Sequence, residues 1–248
     1  MLTIRMPKRG MQNGNYSKRT KFSQADLKAA QELIRRSAGE KKGVDVSLEI
    51  ALNDVVSTTG TNDAAILLNG IAPGNGSWNR IGKKTFNKSI RLFGIAIAQL
   101  DAAATTENYF GNTLRMVVVW DKQPSGGTIP TFDTVFGVTD SAGLESSSIL
   151  DPVRYDNMGR FQILRDKRYT LKPAADFTGG TVNTQDLLVE FDEYIKLGNR
   201  ETIYSGEDAT IASISTGALY VYFRGDTNSV SSRWTINERS RARLRYSD

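Results

Sequence analysis

The sequence predicts an all-β protein: an eight-stranded antiparallel jelly-roll sandwich behind a basic N-terminal arm and a short N-terminal helix. Three observations carry that expectation. From Gly43 onward, apolar residues recur at every second position. Clusters of Gly, Pro, Asn and Asp separate the alternating runs, as in APGNGS, KQPSGGTIP and RGDTNS. Roughly eight such runs, with few helices among them, point to two packed antiparallel sheets.

Residues 1–22, MLTIRMPKRGMQNGNYSKRTKF, are rich in Gly, Asn, Ser and Lys/Arg and show little periodicity. They read as a flexible arm. Its short runs PKRG and SKRTK suit nucleic-acid contact or nuclear import, although such motifs are weak. A helix is expected over 24–37. Ser23 and Asp26 fit its start and Gly39 its stop, with an apolar stripe of Leu27, Ala30, Leu33 and Ile34. Lys28, Arg35 and Arg36 add charge to it. Residues 1–42 thus form an arm with a helix, and 43–248 form the sandwich.

In VDVSLEIALN, Val44, Val46, Leu48, Ile50 and Leu52 face one way and Asp45, Ser47, Glu49 and Asn53 the other. Further strands are expected at 86–100, 114–121, 161–171, 186–197, 218–224 and 233–246. Shorter ones are expected near 66–69, 147–150 and 202–204. TFDTVF, 131–136, follows a proline and fits one helical turn. Phe93, Ile95 and Ile97 alternate with Leu92, Gly94, Ala96 and Ala98, so this strand is apolar on both faces. It either makes lateral contacts to other copies or is buried between sheets.

The composition excludes more than it proposes. There is no cysteine and no histidine. That removes disulfides, thiolate chemistry, imidazole bases and ordinary zinc or copper sites. GNGSWNRIGKK (74–84) fails the spacing of a phosphate-binding loop and reads as a plain loop. Asp192 and Glu193 alternate across a strand, so they do not make a pair of catalytic carboxylates. The oxygen-rich DSAGLESSS (140–148) is the stretch left open for calcium. Neither enzymatic activity nor a cofactor is expected. The N-terminus lacks the apolar core of a signal peptide, and LFGIAIAQL (92–100) is too short to span a bilayer. A soluble chain made in the cytosol, without membrane insertion, is expected.

Net charge is +5. Residues 1–42 hold eleven Lys/Arg and three Asp/Glu; the remainder holds 21 and 24. A strongly basic arm on a slightly acidic body points to a polyanion. The end of the chain, RSRARLRYSD, is the local exception. As a strand it puts Arg239, Arg241, Arg243 and Arg245 on one face, roughly 6.7 Å apart. Ala242, Leu244 and Tyr246 share the other face, continuing from Trp234 and Ile236. Such a ridge either touches nucleic acid or pairs with carboxylates on its neighbours, with Asp45 and Glu49 as candidates.

Four segments together carry a resemblance. They are FNKSIRLFGIAIAQLD (86–101), RMVVVWDKQPSGGTIPTFDTVF (115–136), DNMGRFQILRDKRYTL (156–171) and the closing pair LYVYFRGD and RARLRYSD. In this order and spacing they resemble coat proteins of small circular single-stranded DNA viruses, the geminivirus and genomovirus-like group, over residues 80–248. The resemblance implies a jelly-roll capsid protein of a DNA virus, found in the virion and the host nucleus. Its partners would be itself, in a self-assembling T=1 icosahedral shell of sixty copies, single-stranded DNA, and host nuclear-import receptors. It implies an arm facing the genome, here with Arg5, Lys8, Arg9, Lys18, Arg19 and Lys21. With Arg35, Arg36 and the four terminal arginines, these are the expected nucleic-acid contacts. Plant geminivirus coats usually carry Cys and His in a proposed zinc-finger region; this chain has neither, so no metal is carried over. The arm is also short for plant-specific transport roles and twinned particles. A coat protein of an RNA or satellite virus would share the fold and electrostatics. A cellular β-sandwich module such as a lectin would leave the arm unexplained.

Overall fold

Phe191 and Phe223 meet with ring centroids 5.9 Å apart, and they come from two different antiparallel sheets. The computed structural model describes residues 23–25, 27–29, 41–50, 64–100, 113–124, 127–139, 141, 143, 145–146, 148–170, 188–225 and 232–248. The chain divides into two compact units, Met1–Gly39 and Glu40–Asp248. In the first, residues 24–25 and 27–29 are helical. The rest of the helix expected over 24–37, and the arm before it, lie outside the described residues.

The second unit is built of strands. In chain order they are β1 (Lys42–Ser47), β2 (Ala64–Leu67), β3 (Lys84–Leu100), β4 (Thr113–Asp121), β5 (Val138–Thr139) and β6 (Glu145–Ser146). Then follow β7 (Phe161–Thr170), β8 (Leu188–Tyr204), β9 (Ile214–Thr216), β10 (Ala218–Gly225), β11 (Ser232–Ile236) and β12 (Arg241–Ser247). One sheet runs β1-β12-β3-β8-β9, with β11 also paired to β3. The other runs β2-β10-β4-β7, and β5 and β6 form a small ribbon. The expected all-β class is thus observed.

The most deeply buried strands are β4 and β10, at the centre of the four-stranded sheet. One face of β4, with Leu114, Met116, Val118 and Trp120, turns with Leu219, Val221 and Phe223 into the core. On the other, Arg115, Val117 and Val119 lie beside Arg224, Tyr222 and Tyr220. This outer face is covered by the helical turn Phe132–Val135, expected from TFDTVF. Its Phe132 and Phe136 pack edge-on against Tyr222. Arg115 lies over the Phe136 ring and is bound by Asp166 at 3.0 and 2.7 Å and by the carbonyls of Ile149 and Asp151. A buried guanidinium with every partner a fixed acceptor holds the covering segment to the sheet.

Several boundaries differ from the sequence reading. The run 186–197 and the separate strand near 202–204 are one strand, β8. Gly198 and Asn199 both have positive φ (64° and 61°), so the pair that reads as a turn is a kink the strand passes through. The run 233–246 is two strands. Asn237 accepts from the Ser240 and Arg239 amides at 2.9 Å, which makes a turn between them. Ser240 then inserts against Gly94, where a Cβ would lie 2.1 Å from its hydroxyl. Where a strand is expected near 147–150, residues 148–150 instead enter a turn: the Asp151 carboxylate accepts from the Ser148 amide at 2.6 Å. The first strand ends at Ser47, and Ile50 makes an isolated bridge to Ile236.

Candidate nucleic-acid interface

The outer face of the six-stranded sheet is assembled from side chains in register. Gly43, Arg245, Ser89 and Lys196 stand in one row across β1, β12, β3 and β8. The next row holds Asp45, Arg243, Arg91 and Tyr194, and the next Ser47, Arg241, Phe93 and Asp192. The alternation of β12 works as its sequence predicts: Ala242, Leu244 and Tyr246 are fully buried while Arg243 and Arg245 are exposed.

The arginines are not equivalent. Arg243 makes a bidentate pair with Asp45, both bonds 2.7 Å. The pair holds the Asp45 carboxyl below its usual range and raises the Arg243 guanidinium. Arg91 pairs in the same manner with Asp192, which is likewise held low. Arg241 folds back on its own turn, donating to Ser47 Oγ and to the carbonyls of Glu238 and Ser240. Arg245 is exposed and meets no carboxylate among the described residues. Arg239 departs from the expected ridge. It sits in the turn before β12, so the ridge has three arginines and not four.

The edge of this face is finished by the loop between β2 and β3. Ser77 accepts from the Gly43 amide at 3.2 Å, which sets the loop beside β1. The loop is held from within. Arg80, 3% exposed, donates to the carbonyls of Ile71, Gly82 and Gly206 and stacks 4.3 Å from the Tyr204 ring. The Asp248 carboxylate accepts from the Ile81 amide at 2.6 Å and from Lys42 Nζ at 3.1 Å. Lys42 also donates to the Asn79 carbonyl. Trp78 rides on this scaffold and is 62% exposed.

Between loop and sheet lies an open cavity of about 820 Å³. Lys41, Trp78, Lys88, Arg243 and Arg245 line it, with Asp45 as the one carboxylate among the described residues. A second hollow of about 390 Å³ continues from Arg243 and Arg245 to Arg91, Phe93 and Tyr194. Lys41, Trp78, Lys88, Arg91 and Lys196 were not singled out from the sequence as contacts. The available signal was weak: a lone Trp in a Gly/Asn loop, and basic residues on two strands and just before a third that only the fold brings together. Arg5, Lys8, Arg9, Lys18, Arg19, Lys21, Arg35 and Arg36 lie outside the described residues. So do residues 140, 142, 144 and 147 of DSAGLESSS, and no group of acidic residues that could hold a metal ion occurs among the described ones.

A cationic face beside an all-β core is common to many proteins, and comparison with known families decides between them. The family model described as geminivirus coat protein/nuclear export factor BR1 family matches residues 7–247. The chain belongs to this family. It is a viral capsid protein of a DNA virus, and its place is the virion. Geminivirus coat proteins are structural and not enzymatic. The match reaches from the basic arm to the end of β12, beyond the 80–248 over which the resemblance is readable. No curated protein matches the chain.

Proposed function

We propose that this coat protein folds as a jelly roll, assembles into a closed icosahedral shell and packages single-stranded DNA, with the outer face of the six-stranded sheet turned to the genome. The jelly-roll reading is supported by strand order. With β5, β6, β9 and β11 set aside, the eight strands of β1-β12-β3-β8 and β2-β10-β4-β7 change sheets at every successive step but the one from β4 to β7. Self-assembly is supported by large apolar side chains left in solvent, Leu150, Tyr155 and Met158, on the segment covering the other sheet.

The observation that carries the inward orientation is Lys41. It is the residue from which the basic N-terminal segment departs, and it lines the same cavity as Arg245 and Lys88. An arm rooted there and the face beside it serve one polyanion. In a shell of sixty copies, arms of net +8 would bring about 480 positive charges, enough to offset many phosphates of a small genome. The basic runs of residues 1–22 also suit recognition by import receptors, which would bring the chain to the host nucleus.

The test is expression of the chain alone, followed by electron microscopy and nuclease digestion. Closed particles protecting DNA are expected. Protected RNA would shift the reading to an RNA-packaging coat, and a stable monomer at all salt and pH values, with or without nucleic acid, would overturn assembly.

A further inference from the structure

The chain has three tryptophans, and two of them, Trp120 and Trp234, are buried at 5% and 4% exposure. Trp78 is 62% exposed, yet the loop that presents it is not loose. Arg80 ties that loop to three carbonyls, and Asp248 and Lys42 clamp its far side. The indole also lies against Gly76, where an added Cβ would come within 3.0 Å of the ring. One part of the ring is therefore propped by backbone, and the rest is offered to solvent on a preorganised support.

The charges beside it are unevenly matched. Of the cations lining the cavity, Lys42 is neutralised by Asp248 and Arg243 by Asp45. Lys41, Lys88 and Arg245 have no ion pair among the described residues. A rigid exposed π-face next to three positive charges with no ion pair among the described residues matches the two halves of a nucleotide, base and phosphate. An electrostatic surface alone would need the lysines and arginine but not the indole.

We infer that Trp78 is a stacking platform for one base of a single-stranded segment whose phosphates lie on Lys41, Lys88 and Arg245. This rests on the packaging reading and adds to it a defined nucleotide subsite on the folded body, separate from the arm. Stacking is indifferent to base identity, because every base has a π-face, so the site suits a coat that encloses a whole genome.

The experiment uses the full chain and (dT)12 as probe, with binding followed both by anisotropy of a labelled strand and by intrinsic tryptophan fluorescence. Binding is expected to quench fluorescence in the parent, and Trp78→Phe should abolish the quench while keeping most of the affinity. Trp78→Ala should weaken binding roughly tenfold, the lower part of the range for losing one stacked base. Inorganic polyphosphate should compete for the site without quenching. An unchanged quench in Trp78→Phe, or parental affinity in Trp78→Ala, would overturn the subsite and leave packaging intact. Failure of the parent to bind (dT)12 at all would instead remove the packaging reading on which it rests.

Discussion

Arg243 is joined to Asp45 on the neighbouring strand by two hydrogen bonds of 2.7 Å, while Arg245, two residues further along β12, meets no carboxylate among the described residues. One strand thus carries a cation spent within the sheet and another left for a partner. Arg245→Ala combined with Lys88→Ala should reduce nucleic acid per shell with little change in melting temperature. Asp45→Asn should do the opposite to binding, since it releases Arg243; oligonucleotide affinity should rise, most visibly at low salt. Being exposed, the Asp45 pair contributes little to stability. Because the Asp45 pKa is depressed, that contribution is present above the ordinary aspartate range and disappears as pH falls through the lowered value. If the Arg245/Lys88 variant melts early and packages normally, the ridge serves the sheet.

Lys42 and Asp248 make the opposite kind of pair. Their side chains are 1% and 7% exposed, and both also bind the backbone of the Trp78 loop. Asp248→Asn removes the carboxylate that the buried Lys42 meets at 3.1 Å. A loss of about 3 kcal/mol in chemical denaturation is expected. Since the same carboxylate fixes Ile81, the variant should also alter the Trp78 emission spectrum. A surface-like cost, below about 1 kcal/mol, would mean that the clamp is solvated in solution.

The legibility of this chain follows the range of the interactions involved. Alternation is a local property, so β12 could be assigned face by face from RARLRY, and the buried Leu244 and Tyr246 follow that assignment. The helical turn at Phe132 was readable because its signal, TFDTVF after Pro130, is local; Thr131 caps it, accepting from the Thr134 amide. Boundaries failed where a long-range contact overrode a local signal. Gly198–Asn199 spells a turn, but β3 continues to pair with β8 on both sides of it. At 237–240 the strand breaks although the apolar alternation resumes beyond it. The cationic face was only half legible for the same reason. Lys88 and Arg245 come from distant parts of the chain, and only the bulged register of β3 and β12 makes them neighbours.

The break before β12 has its own test. Ser240 fills the space over Gly94, its Cβ 2.3 Å from where a Cβ on Gly94 would sit, and its hydroxyl accepts from the Ile95 amide at 3.1 Å. Gly94→Ala should destabilise by about 1–3 kcal/mol through overpacking. Ser240→Gly removes the colliding atoms, so the double variant should recover part of that loss. Independent, additive costs would show that the two positions do not share this space.

Alkaline pH should weaken the fold through buried tyrosines. Burial pushes the Tyr204 hydroxyl up to about 12, and it donates to the Asn69 carbonyl at 2.8 Å. Tyr169 is also raised to about 12 by burial, with Glu193 nearby. A phenol with a raised folded-state pKa gives stability that is complete below its unfolded value near 10. That stability is lost as pH climbs through about 12. For Tyr204 the full span corresponds to about 2–3 kcal/mol. Tyr204→Phe should start less stable, for want of the hydrogen bond, but decline less between pH 10 and 12. Parallel declines in parent and variant would show that Tyr204 ionises equally in both states.

The arm and the folded face make separable contributions to nucleic-acid binding. Residues 1–22 hold six Lys/Arg and no acid, and the first strand of the body begins at Lys42. Deleting them should leave the sheets folded, since among the described residues their pairing begins at β1. If all six cations meet phosphate on a single strand, the slope of log K against log salt should become shallower by about 4, at roughly 0.7 per contact. Quenching of Trp78 by (dT)12 should survive the deletion, because the indole, Lys88 and Arg245 all belong to the body. An unchanged slope would remove the arm as a phosphate contact. A lost quench in a folded truncation would mean that the arm, not the sheet, delivers the base to Trp78.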